Sequence, residues 1–178
     1  NISNIYAIGD VTNGPALAHR ATHEATIAAA HIAGDIHAAV DYKVIPAAVF
    51  TDPEIASVGI TETEAKQKGL NVKVGKFPFA ALGRSLANNN SDGFCKVIGD
   101  AKTNDLLGVH IVGPDAGNFI GEAALAIEMG ASVEDLALTI HTHPTYPEAI
   151  MEASEAYFGH AIHVFQAGHK KQDQAANA

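Results

Sequence analysis

Apolar residues recur along this chain at three different spacings, and the changes between them mark out its elements. Ile5-Tyr6-Ala7-Ile8 is a short continuous apolar run, followed by Gly9-Asp10 and the turn-forming Thr12-Asn13-Gly14-Pro15. Together they predict a strand and then a turn. From Ala16 to Ala33 the chain is rich in alanine, the best helix former, with Leu17, Ala21, Ala25, Ala28 and Ile32 on one face and Gly34 as a stop. One strand and one helix cannot bury themselves. With Asn1 rather than methionine at the start, residues 1–41 are expected to be the end of a larger α/β domain.

A second unit is expected over 42–165. Val44 to Phe50 and Ile55 to Ile60 read as strands separated by Asp52-Pro53-Glu54, and Thr61-x-x-Glu64 is a capping-box signal for a helix reaching about Gly69. Val72 to Phe79 is strand-like, and Asn88 to Gly93 is a turn cluster. Phe94 to Ile98 and Leu106 to Val112 alternate apolar with polar or small residues and predict a hairpin. Phe119, Ala123, Ala124 and Ile127 then follow helical spacing up to Gly130, and Ser132 can cap a second short helix through Leu138. A third helix is expected from Glu148 to Phe158. Strands followed by helices predict an α+β domain, an antiparallel sheet with helices packed on one face. The polar tail, 166–178, has too little to bury and is expected to lack fixed structure.

At 178 residues and 47% apolar content, the chain can bury a real core. Twenty acidic against eleven basic residues give a net charge of −9, which argues against nucleic acid. The single cysteine, Cys95, excludes an internal disulfide and a zinc ribbon; within a strand-like alternation it reads as a small packed thiol. No apolar run approaches the length of a membrane span, and no signal-peptide pattern is present. A soluble, cytoplasmic, reducing setting fits.

The densest chemistry lies in His141-Thr142-His143-Pro144-Thr145-Tyr146-Pro147-Glu148. A histidine titrates near neutral pH, and a nearby carboxylate can set its tautomer. Pro144 and Pro147 leave the connecting loop few conformations. His143 and Glu148 are therefore a candidate acid–base pair. The same residues also suit a plain structural role, because Thr145-x-x-Glu148 fits a capping box. Both readings can hold together. A metal module is an alternative: His19 and His23 lie i, i+4 beside Glu24, and His160-x-x-His163 gives a second pair. No third ligand stands at fixed spacing, so no metal site is expected.

A series of short stretches, in order, resembles the C-terminal portion of the pyridine-nucleotide disulfide oxidoreductases. They are Ile5-Tyr6-Ala7-Ile8-Gly9-Asp10, Gly14-Pro15-Ala16-Leu17-Ala18-His19, Phe50-Thr51-Asp52-Pro53-Glu54 with Val58-Gly59, and Asp92-Gly93-Phe94. Leu107 to Pro114 and the His/Pro/Glu run complete the series, which covers roughly Asn1 to Val164. Within the family, His-x-His-Pro-Thr-x-x-Glu-Ala resembles the dihydrolipoamide dehydrogenase branch. Glutathione-type reductases carry Glu-Glu where Glu148 is followed here by Ala149, and mercuric-reductase-like proteins end in paired cysteines. Thr142 and Pro147 depart mildly from the pattern.

The resemblance implies a flavoenzyme passing electrons between dihydrolipoamide, an active-site disulfide, FAD and NAD, serving the lipoyl-bearing protein of a 2-oxoacid dehydrogenase complex. It implies that the last domain is the interface of a homodimer whose His/Glu pair works in the partner subunit's active site. His143 would then take a proton from a dithiol and Glu148 would orient it, with the peptide before Pro144 cis so as to aim the ring. Asp10 would match the acid bonding the ribityl chain of FAD. Ala16, Leu17, Ala18 and His19 would contact the flavin, partly through backbone amides at a helix start. Without the resemblance, Asp10 reads as a turn aspartate and His19 as a surface-helix histidine; the family commonly has methionine at the position of Ala16. The chain carries no G-x-G-x-x-G loop and no cysteine pair, so alone it is expected to be inactive.

Overall fold

The computed structural model describes residues 2, 4–35 and 37–166. They form two compact units, Asn1–Ile45 and Pro46–Ala178. The tail expected at 166–178 lies outside the described residues except for Gln166, whose side chain bonds Ala161 N–H and the Ala156 carbonyl.

In the first unit the expected strand at Ile5 to Ile8 is not formed. The backbone at Ile8 is extended (φ −138°, ψ 159°), but the segment has no ladder partner among the described residues. A strand exists only through the neighbour that takes up its backbone groups. A 3-10 turn at Gly9–Val11 follows, then helix α1, Ala18–Ile32. The alanine-rich stretch is helical as expected, yet its most deeply buried residues are Arg20 and Glu24. Arg20 donates to the Pro15 and Asn13 carbonyls (2.9 and 2.7 Å) and to Thr12 Oγ1 (2.6 Å), and pairs with Glu24 at 2.8 Å. Glu24 in turn accepts from Gly9 N–H (2.6 Å) and the Tyr42 hydroxyl (2.9 Å). The Gly9 amide is the main cause holding the Glu24 carboxyl below its ordinary pKa. This buried pair ties the loop before α1 to the helix.

The second unit is built on a five-stranded antiparallel sheet, β1 (Ala47–Val49), β2 (Ile55–Gly59), β3 (Val72–Pro78), β4 (Phe94–Asp100) and β5 (Leu106–Val112), in the order β1-β2-β5-β4-β3. The predicted hairpin is β4–β5. Its register aligns Phe77, Cys95, Ile111 and Ala56 in one cross-strand row, and Gly75, Val97, Val109 and Val58 in the next. The apolar members of both rows are at most 2% exposed, because alternation turns them all to one face.

Helix α4 (Ala116–Glu128) covers that face over β1, β2 and β5, and α6 (Glu148–Phe158) covers β3 and β4. Helix α5 (Val133–Leu138) packs on α6. This is the predicted α+β arrangement. The short α2 (Glu62–Gln67) differs: Glu62 pairs at 2.7 Å with Lys96, which alternation places on the opposite face.

The capping box predicted at Thr61 and Glu64 forms, and Ser132, expected to cap the second short helix, does so in a box with Asp135. In each, hydroxyl and carboxylate exchange bonds with the other's backbone amide. The strand expected over Val72 to Phe79 ends at Pro78, where a 3-10 turn at Phe79–Ala81 takes over, and helix α3 (Gly83–Ala87) occupies a stretch that carried no predicted element.

Candidate active site

The His/Pro/Glu run is the loop that leads into α6. Glu148 is the first residue of that helix and is 8% exposed. Its Oε1 lies 2.8 Å from His143 Nδ1, and its Oε2 accepts the Thr145 N–H at 2.6 Å. The predicted capping box is therefore only half formed. Glu148 reaches back to the Thr145 amide, but the Thr145 hydroxyl donates to the Thr142 carbonyl at 2.7 Å instead of capping the helix. The helix N-cap is Pro147, without a side-chain cap. Ala149 and Ile150 N–H bond the Tyr146 and Pro147 carbonyls, so the first amides are met by the loop backbone.

A carboxylate only accepts, so the Nδ1 of His143 must carry the proton of that bond. In the neutral ring this leaves the lone pair on Nε2. The His143 side chain is 67% exposed while that of Glu148 is 10% exposed. A fixed acid thus holds one edge of an imidazole whose other edge is open. The His143–Pro144 peptide is cis, and the ring lies against Gly83, where an added Cβ would stand 3.2 Å from Cε1.

A second histidine of the run is also engaged. His141, with a side chain 6% exposed, places Nε2 at 2.8 Å from Glu122 of α4 and Nδ1 at 2.9 Å from the Thr139 carbonyl. Both partners only accept, so the ring makes both bonds only when both of its nitrogens carry a proton. The bond to Glu122 is the main cause of its raised pKa and outweighs burial. Sequence reasoning did not pair these residues. They lie 19 positions apart, and no local signal joins them.

Asp10 sits in the exposed 3-10 turn, Ala16 and Leu17 precede α1, and Ala18 and His19 open it. No side chain caps that helix start. These five residues belong to the first unit and the His143–Glu148 pair to the second. Two of the residues considered for a metal have other partners. Glu24 is taken up by Arg20, Gly9 and Tyr42. His163 is bonded through Nδ1 to Glu152, which also accepts from the Ile162 and His163 amides. Among the described residues no group of three or more His, Cys, Asp or Glu could hold a metal ion.

The family model for the pyridine nucleotide-disulphide oxidoreductase dimerisation domain matches residues 45–154, which includes the sheet, α4, α5 and the His143–Glu148 loop. The chain belongs to the pyridine nucleotide-disulphide oxidoreductase family. Members similar to it include the dihydrolipoyl dehydrogenases of Halobacterium salinarum, 54% identical over 163 residues, and Thermus scotoductus, 56% identical over 160. These alignments cover 92% and 90% of the chain and 34% of each relative, so it spans about a third of their length. Among solved structures, LpdA from Mycobacterium tuberculosis superposes with a TM-score of 0.77 at 29% identity, over 84% of this chain and 33% of that one. The HOCl-induced flavoprotein disulfide reductase RclA from Escherichia coli gives 0.76 at 27% identity, over 87% of this chain and 35% of that one. The oxidoreductase fold read from the sequence is thus the fold of the family.

Proposed function

We propose that this chain is the interface portion of a dihydrolipoyl dehydrogenase, and that His143 is its acid–base residue with Glu148 as the group that orients it. The observation that carries the reading is the 2.8 Å bond from Nδ1 to a buried carboxylate, with the Nε2 edge open. In that arrangement Nε2 takes the proton of a dihydrolipoamide thiol, and the resulting thiolate is the nucleophile of thiol–disulfide exchange. Glu148 stabilises the imidazolium that forms, and the Thr145 amide keeps its second oxygen occupied.

The proposal includes a homodimer. Leu125, Met129, Leu138 and Ile140 lie on the α4–α5 side, are 60–96% exposed, and form an apolar face that a second copy would cover. It also includes FAD and NAD as cofactors of the full-length protein, a lipoyl-bearing protein as partner, and a cytoplasmic setting. Asp10 would bond the ribityl chain, and the uncapped start of α1, with Ala16, Leu17, Ala18 and His19, offers backbone amides to the flavin. Bound there, FAD would carry the electron pair of the dithiol on to NAD.

The test is His143→Gln in the full-length protein, with dihydrolipoamide oxidation followed through NADH. Turnover is expected to fall about 10²–10⁴-fold, since that is what a general base contributes, and Glu148→Gln is expected to cost less. Wild-type turnover in His143→Gln would refute the assignment.

A further inference from the structure

The loop between His143 and Glu148 is fastened at a point that neither residue touches. Tyr146 lies two residues before Glu148 and is 8% exposed. Its hydroxyl accepts from Asn88 Nδ2 at 2.9 Å. Its ring stacks on that of Phe79, with centroids 6.1 Å apart and planes 17° apart, and Phe79 is fully buried. Asn88 is the residue that ends α3, where its own N–H donates to the Arg84 carbonyl at 3.1 Å. The other end of α3 begins at Gly83, against the His143 ring. One short helix therefore meets the loop twice, at the imidazole through Gly83 and at the Tyr146 hydroxyl through Asn88. Leu82, just before this helix, and Ser85, within it, are buried and root it in the core.

We infer that Asn88 and Tyr146 form a latch that positions the His143–Glu148 pair, so that both are positioning residues for proton transfer. The inference rests on the reading of His143 as the base. Asn88 and Tyr146 touch no reacting group. The latch acts by narrowing the conformations of a loop whose two functional ends must stay within hydrogen-bond reach of one another. Small misplacements of reacting groups lower rates steeply.

Tyr146→Phe tests this, because it keeps the ring, its volume and its stacking on Phe79 and removes only the hydroxyl. In the full-length protein, kcat is expected to fall about threefold to tenfold, the range a single neutral hydrogen bond can supply. KM is expected to stay at its wild-type value, and the unfolding temperature to fall by no more than the few degrees that the loss of one hydrogen bond allows. Asn88→Ala should give the same loss, and the double variant no further loss, since both changes break one bond. Asn88→Asp should restore turnover, because the phenol can donate to a carboxylate. A readout independent of activity is the downfield proton resonance of the Nδ1–H shared with Glu148, identified by its absence in His143→Gln. It should broaden in Tyr146→Phe and Asn88→Ala. Wild-type kcat with an unchanged resonance in Tyr146→Phe would overturn the latch, as would losses that simply add in the double variant. If His143→Gln alone leaves turnover intact, the reading of the base fails; the resonance still decides whether the latch sets the pair's geometry.

Discussion

Gly75 is where the seat of α6, and with it the position of Glu148, can be broken by one methyl group. Glycine at this point of β3 lets the helix backbone lie directly on the strand. A Cβ at 75 would stand 2.0 Å from the Ala153 carbonyl oxygen, 2.5 Å from Tyr157 N and 2.8 Å from Tyr157 Cα. Ordinary contact begins near 3.4 Å, so α6 must retreat by 3.4 − 2.0 = 1.4 Å. All three atoms are helix backbone, so no rotamer change relieves the clash. Ala149, Ile150, Ala153 and Tyr157 on that helix are all fully buried, and lifting them opens space beneath. Overpacking of this kind costs about 1–3 kcal/mol, which lowers the unfolding midpoint of a domain of this size by about 3–10 °C. Because Glu148 is the first residue of α6, the same displacement should lengthen its bond to His143 and lower turnover by up to about 100-fold. The assay is thermal unfolding by circular dichroism, with lipoamide turnover alongside. A Gly75→Ala variant melting within about 1 °C of wild type would refute the claim that the strand–helix contact is incompressible.

Two further outcomes follow from the same packing. Cys95 is fully buried, and burial pushes its thiol pKa up; an aromatic disulfide reagent should therefore modify it only at the rate of unfolding, and prompt labelling of the native protein would contradict this. The raised pKa of His141 means that its bond to Glu122 stabilises the fold fully below the ordinary histidine value, about 6.5, and that this contribution is lost as pH rises through the folded-state value. Unfolding midpoints measured across that interval should fall more for wild type than for His141→Gln, and parallel curves would exclude the pair as the cause.

The features legible in the amino-acid order are those the chain settles locally. The capping boxes at Thr61–Glu64 and Ser132–Asp135 each lie within four residues, and both form. The alternation that predicts β4 and β5 is a property of adjacent residues in an antiparallel pair, and it too is present in the fold. The His143–Glu148 pair is legible because the four residues between them, two of them prolines, leave the groups little freedom to part. Helix α3 leaves no such mark because its five residues are too few to develop a period, and Asn88, Asn89 and Asn90 read as a turn.

By itself, then, the sequence determined the helices with complete periods, the hairpin, the caps and the residue types at the candidate site, all governed by interactions between near neighbours. Only the tertiary structure decided that Ile5 to Ile8 is no strand here and that His141 meets Glu122. It alone set Tyr146 on Asn88, a contact spanning 58 positions. Each of these depends on which distant group arrives to satisfy a donor or an acceptor. The folded chain settles that by burying them together, and no stretch of neighbouring residues encodes it.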